Sequence, residues 1–291
     1  MKEEILTLKE ALAKAVDKLQ QMEVPDADID AWYLLSYVTG LDRAAFFLHG
    51  EEPMAEPDMI RYCDLVTKRG ERIPLQHLTG EQEFMGLDFH VNEHVLIPRQ
   101  DTECLVERVL PYVDGKRVLD VCTGSGCILL SLLLELPQAL GTGVDVSEGA
   151  LCVAKENRKR LGLEQRADLI QSDLFSADYF QKNSGNDHME YDMLISNPPY
   201  IPTEDIGKLM EEVRFHDPVL ALDGKENGLY FYEKITEQAG TYLKPGGWLM
   251  YEIGCDQGMD VSEIMKKNGF EQIEIKKDLA GLDRVVTGRK M

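Results

Sequence analysis

Apolar residues at Ile5, Leu8, Leu12, Ala15, Val16 and Leu19 recur every three or four positions with Lys and Glu between them, which predicts an amphipathic helix. Pro25-Asp26 opens a second helix that carries Ile29, Trp32, Tyr33, Leu35 and Tyr37 and stops at Thr39-Gly40. A short third helix is expected around Ala44 to Leu48, and a fourth from Pro57-Asp58 to Lys68, ending at Gly70. Residues 1–72 therefore read as a small all-helical domain. Its Trp and Tyr side chains, at helical spacing, are expected in the core.

The pattern changes over residues 73–99. Phe84-Met85 and the alternation Leu87-x-Phe89-x-Val91 flank Gly86, which predicts a β-hairpin linker. Ile97-Pro98-Arg99 leads into an acidic helix start at Asp101-Thr102-Glu103. From residue 100 to 291, short apolar runs alternate with helical periodicity. Strands are expected at Val118–Val121, Gly141–Val146, Leu169–Ile170, Met193–Ile195, Gly247–Ile253, Glu271–Ile275 and Arg284–Thr287. Helices are expected at Cys127–Leu136, Ser147–Leu161, Tyr230–Ala239 and Val261–Lys267. Such repeats make an α/β fold with an open, mostly parallel sheet covered on both faces. Gln181 to Glu190 is polar and reads as a surface loop.

Composition narrows the function classes. With 29% charged and 44% hydrophobic residues the chain reads as a soluble globular protein. No signal peptide or membrane span is visible, since the apolar run Ile128 to Leu134 is far too short to cross a bilayer. Six cysteines form no CxxC pair and no zinc-finger spacing with His, so a cytoplasmic, reducing environment and no metal are expected. A net charge of −21 speaks against direct nucleic-acid binding, which needs clustered Lys and Arg.

Two short motifs carry the chemistry. Cys122-Thr123-Gly124-Ser125-Gly126 is a tight loop between a strand ending after Asp120 and a helix; its glycines let backbone approach a ligand closely. Asp145 ends the next strand, where a carboxylate meets ribose hydroxyls in nucleotide-binding sheets. Leu129 occupies the third-glycine position of a dinucleotide fingerprint, and an acidic Asp120 would repel a pyrophosphate but favour a sulfonium, so S-adenosylmethionine is expected rather than NAD. The second motif, Asn197-Pro198-Pro199-Tyr200, follows an apolar run. A proline turn ending a strand would have the same composition. As a site, the Asn197 oxygen and the Pro198 carbonyl would accept the two N–H bonds of a planar –NH2 group, and Tyr200 would cover its face.

These residues resemble the class I S-adenosylmethionine-dependent methyltransferases that modify planar nitrogens. Pro74-Leu75-Gln76, Gly80, Phe84 to Phe89, Val95 to Arg99 and Glu252-Ile253-Gly254 with Gln257 are similar to the release-factor glutamine N5-methyltransferases. The resemblance runs through nearly the whole chain and is weakest in the helical segment. It implies a seven-stranded Rossmann-like domain, with Asp120, Cys122, Thr123, Gly124, Ser125, Gly126, Asp145, Asp173, Leu174 and Asn197 around the cofactor. Asn197, Pro198, Pro199 and Tyr200 are implied to hold the substrate amide, with Arg99 contacting the partner or pairing with an acidic neighbour. The implied substrate is the glutamine of the Gly-Gly-Gln loop in class 1 peptide chain release factors. A ribosomal-protein glutamine methyltransferase, an adenine-N6 DNA methyltransferase and a non-catalytic cofactor-binding scaffold are the competing readings. The sequence departs from the family pattern at Cys122, where a glycine is usual, and at Gln100-Asp101, Asp217, Lys225 and Asn227.

Overall fold

The computed structural model describes residues 6–112, 116–182 and 190–291. Residues 183–189, within the stretch read as a surface loop, lie outside the described residues. The chain divides into two compact units, Met1–Gly80 and Glu81–Met291.

The first unit is built of helices α1 (Leu8–Gln21), α2 (Ala27–Thr39), α3 (Arg43–His49), α4 (Glu56–Gly70) and α5 (Leu75–Thr79). Thr7 and Glu10 form a capping box that starts α1: the Thr7 N–H donates to Glu10 Oε2 (2.8 Å) and Thr7 Oγ1 accepts from the Glu10 N–H (3.2 Å). Leu8, Ala11, Ala15 and Leu19 form the buried stripe of α1 and share one core with Trp32, Leu34 and Leu35 of α2 and Tyr62, Leu65 and Val66 of α4. Trp32 is buried as expected, but Tyr33 and Tyr37 are exposed because they fall on the opposite stripe of α2. Asp30 on α2 and Arg69 on α4 make a buried ion pair at 2.6 Å. Residues 75–79, read as part of the linker, are helical and belong to this unit.

The second unit begins with the hairpin β1 (Glu81–Phe84) and β2 (Leu87–His90). Met85 and Gly86 turn the hairpin, both at positive φ (53° and 71°), as a two-residue primed turn requires. Helix α6 (Gln100–Val109) follows, then β3 (Arg117–Val121), α7 (Cys127–Glu135), β4 (Leu140–Asp145), α8 (Glu148–Arg160), β5 (Ala167–Gln171) and α9 (Asp178–Lys182). The chain continues through β6 (Tyr191–Ser196), the short helices α10 (Glu211–His216) and α11 (Val219–Leu222), and α12 (Tyr230–Tyr242). It ends with β7 (Leu243–Glu252), α13 (Gly258–Lys267), β8 (Phe270–Lys277) and β9 (Asp283–Lys290).

The sheet has seven strands in the order β5-β4-β3-β6-β7-β9-β8, all pairs parallel except those made by β9. This is the Rossmann-like arrangement expected. Alternate residues face opposite layers. Val118, Met193, Ile195 and Met250 pack with Leu105 of α6 and Leu129 of α7, while Leu119, Val121, Leu194, Leu249 and Tyr251 pack with Tyr232 of α12 and Val261 of α13. After β3 the chain builds outward through β4 and β5, then returns to place β6 on the other side of β3. The topological switch point therefore lies between the carboxyl ends of β3 and β6, where Val121 pairs with Ser196.

Candidate active site

The register at the switch point sets the two motifs side by side. Cys122 follows Val121 and Asn197 follows Ser196, so the glycine-rich loop and the Asn-Pro-Pro-Tyr turn leave adjacent strands at the same level. A cleft opens there. Of the residues singled out in the sequence, Arg99, Cys122, Thr123, Gly124, Ser125, Asp145, Asp173, Leu174, Asn197 and Pro199 line it. Asp120, Gly126, Pro198 and Tyr200 are not among its lining residues: Asp120 and Pro198 are buried, and Tyr200 packs against the core.

The floor of the loop is an electrostatic layer. Asp120 Oδ2 accepts from the Thr123 hydroxyl at 2.6 Å, while its Oδ1 has no hydrogen-bond partner among the described residues. Burial pushes the Asp120 pKa up to about 7, against the effect of the Thr123 hydroxyl. Asp145 has one oxygen held by the Gly124 N–H and the other by the Ser147 N–H, both at 2.9 Å. Burial raises its pKa, and these two N–H groups work against the rise. Gly124 and Gly126 adopt positive φ, and so do two side-chain-bearing residues of the lining, Cys122 (63°) and Leu174 (51°). Strain of this kind clusters at ligand sites. Burial raises the Cys122 thiol well above its ordinary range, so it is held as a neutral thiol.

The loop is braced from a direction the sequence did not reveal. Asn157, fully buried on α8, donates from Nδ2 to the carbonyls of Ser125 and His90 (both 3.0 Å) and accepts from the His90 N–H at 2.7 Å. One side chain thus ties the glycine loop to the end of the hairpin. The apolar walls include Val95, Leu96 and Pro98 from the segment after the hairpin, and Leu220 and Ala221 from α11.

The Asn-Pro-Pro-Tyr turn is clamped from behind. Gln257 donates from Nε2 to the Tyr200 carbonyl (3.0 Å), and its Oε1 accepts from the Gly254 N–H (3.0 Å). The chain after Tyr200 pairs with residues 222–225: the Ile201 N–H donates to the Leu222 carbonyl (3.0 Å) and the Gly224 N–H to the Ile201 carbonyl (2.8 Å). Gly224 and Gly228 lie against the Tyr200 backbone so closely that a Cβ on Gly228 would stand 2.3 Å from its carbonyl oxygen. At the mouth, Arg99 Nη2 reaches Asp217 Oδ2 at 2.8 Å; Asp217 is buried and Arg99 is half-exposed. Burial pushes the Asp217 pKa up to about 6, and the Arg99 charge works against that rise.

Known proteins resemble both parts of the chain. Residues 10–80 match the family described as "PrmC N-terminal domain", and residues 113–285 match "Methyltransferase domain". The release factor glutamine methyltransferase of Clostridium acetobutylicum is 41% identical over 97% of this chain and 98% of its own. That of Geobacter sulfurreducens is 40% identical over 99% and 98%. The chain belongs to the release factor glutamine methyltransferase family. Among solved structures, a methyltransferase from Pyrococcus furiosus superposes with a TM-score of 0.52 at 18% identity, covering 77% of this chain and 98% of its own, which bears on the fold alone. In this family member, the sequence singled out the glycine loop and the proline turn. Asn157, Thr102 and the α11 wall belong to no local motif: Thr102 and α11 reach the cleft through tertiary packing, and Asn157 reaches the backbone of the glycine loop.

Proposed function

We propose that the protein transfers a methyl group from S-adenosylmethionine to the side-chain amide nitrogen (N5) of the glutamine in the Gly-Gly-Gln loop of class 1 peptide chain release factors, in the cytoplasm. The observation that carries this reading is the juxtaposition of the glycine loop and Asn197-Pro198-Pro199-Tyr200 at the switch point.

The cleft fits the cofactor by the chemistry of its lining. Asp145, fixed by the Gly124 and Ser147 N–H groups, keeps two of about four acceptor sites for ribose hydroxyls. Gly124 has open space where a Cβ would stand, leaving its backbone approachable. Asp120, with one oxygen unpaired, supplies negative potential beneath the loop. When bound, S-adenosylmethionine supplies a methyl group on a cationic sulfur.

The protein's part is to present the nitrogen. A glutamine amide is a poor nucleophile because its lone pair is conjugated with the carbonyl. Asn197 Oδ1 and the Pro198 carbonyl accept its two N–H bonds, turn the lone pair toward the methyl carbon and stabilise the positive charge that grows on nitrogen. The proton departs to solvent afterwards, so no strong base is needed first. Tyr200 is a packed, uncharged wall: burial raises its pKa above the ordinary phenol range. The helical unit, residues 1–72 with the hairpin linker 73–99, is assigned to recognition of the protein substrate, and the methyltransferase domain, 100–291, to the chemistry.

The test is transfer of tritiated methyl from S-adenosylmethionine to an unmodified release factor and to the same factor with the loop glutamine replaced by alanine. Label on the first and none on the second is expected. Equal labelling of both would refute the reading.

A further inference from the structure

Asn197 poses a problem of orientation. The two ends of an asparagine amide are alike in shape, and only their hydrogen-bond partners decide which end faces a ligand. Reversed, Asn197 would present N–H donors to a substrate that itself offers N–H donors. The proposed reaction therefore requires something behind Asn197 that accepts from Nδ2.

The sheet register identifies that group. Ser196 of β6 pairs with Tyr251 of β7, so the next residues, Asn197 and Glu252, leave parallel neighbours side by side and toward the same layer. That layer is the one covered by α6, which packs on β7 and β9 and carries Thr102. Asn197 Nδ2 lies 3.5 Å from Thr102 Oγ1, a long contact. Glu252 is only 2% exposed, at the end of an apolar strand where a carboxyl is costly, and its Oε2 has no hydrogen-bond partner among the described residues. Among the described residues it makes no salt bridge that would explain its burial. Arg284, whose charge favours the ionised carboxyl, is paired with Asp278 (3.1 Å) and Asp101 (3.3 Å). Burial pushes the Glu252 pKa up to about 7, and hydrogen bonding with Thr102 and Asn197 works against that rise.

We propose that Glu252, with Thr102, is the positioning element of Asn197: the buried carboxyl and the hydroxyl take the N–H groups of the Asn197 side-chain amide and so hold Asn197 Oδ1 toward the substrate nitrogen. Glu252 acts through Asn197 and touches neither substrate nor cofactor. The inference rests on the reading of Asn197 given above. It adds that the acceptor in the turn is set by a residue on a different strand.

The experiment compares full-length wild type, Glu252→Leu, Glu252→Gln and Thr102→Val. Transfer kinetics, cofactor Kd and the side-chain amide resonances of Asn197 in 15N-labelled protein are read for each, with assignment by Asn197→Asp. Leucine fills the space with an apolar side chain and removes the acceptor. Its kcat is expected to fall by about tenfold or more with cofactor Kd within about twofold, as loss of one oriented hydrogen bond implies. Glutamine keeps an acceptor oxygen and is expected to restore kcat to within about threefold of wild type. The Asn197 amide protons should be shifted downfield and slow to exchange in wild type and Glu252→Gln, and average toward free-amide values in Glu252→Leu. Thr102→Val, nearly isosteric, should weaken the same signature, and it decides the matter if Glu252→Leu does not fold. Wild-type kcat in Glu252→Leu, or Asn197 resonances of a free amide in the wild type, would overturn the proposal. If wild type labels no release factor, the functional reading fails, while the resonances still test the orientation of Asn197.

Discussion

Single residues at the switch point carry distinct duties, which substitution should separate. On the proposed mechanism Asn197 supplies an acceptor that matters most as charge grows on the substrate nitrogen, so Asn197→Ala is expected to lower kcat by about 100-fold or more while cofactor Kd changes by less than about threefold. Single-turnover transfer and calorimetry with S-adenosylmethionine measure the two; parallel losses would contradict the assigned role. Asp120 is different, because burial favours its neutral form. Its folded pKa, about 7, lies above the ordinary carboxylate value of 3.8, so the folded state keeps a proton that the unfolded chain has lost between those limits. Stability from this group is then full at low pH and is lost as pH rises toward 7. Asp120→Asn removes the titration while keeping an acceptor for the Thr123 hydroxyl. The Tm of the variant relative to wild type should therefore move up by roughly a few degrees between pH 5 and pH 8. Cofactor affinity should fall as the negative potential beneath the loop is removed. A Tm difference independent of pH would show that Asp120 is ionised throughout.

At the scale of elements, the site is two turns held by braces that belong to other segments. Asn157 on α8 bonds three backbone groups of Ser125 and His90, so Asn157→Ala removes the link between the glycine loop and the hairpin end and the bond to the buried Ser125 carbonyl. Cofactor Kd is expected to rise by roughly tenfold, as isothermal calorimetry would register, because a loosened loop must be ordered on binding. Gly228 packs on the Tyr200 carbonyl at φ 74°, where a Cβ meets both a backbone clash and an unfavourable dihedral. Gly228→Ala should displace the Asn-Pro-Pro-Tyr turn and abolish transfer while cofactor binding persists; full activity would mean that the turn does not depend on this packing. Most of these elements were legible in the chain itself. The stripe of Leu8, Ala15 and Leu19, the alternation around Gly86 and the apolar runs of β3 and β6 each follow a local period. The segment between Tyr200 and Tyr230 was not legible, because the apolar side chains Met210, Phe215, Val219 and Leu220 are exposed and follow no core-facing period. The pairing of Glu252 with Asn197 was also hidden, although both residues stood in recognised motifs. Their proximity comes from the parallel register of β6 and β7, which no short stretch encodes.

For the whole molecule, strand order converts two distant motifs into one site: glycine loop and proline turn adjoin because the order of strand addition reverses between the parallel neighbours β3 and β6. The helical unit has its own core around Leu19, Trp32, Leu35 and Tyr62, as a separate recognition domain would need, and family membership extends over both units. The net charge of −21 favours a protein substrate over a phosphate backbone. The most direct measurement is to incubate the full-length protein with isotopically labelled S-adenosylmethionine and unmodified class 1 release factor, then locate the methyl by peptide fragmentation. A single methyl on the side-chain nitrogen of the Gly-Gly-Gln glutamine is the predicted result. A methyl confined to a ribosomal-protein glutamine or to adenine in DNA, with the release factor untouched, would contradict it.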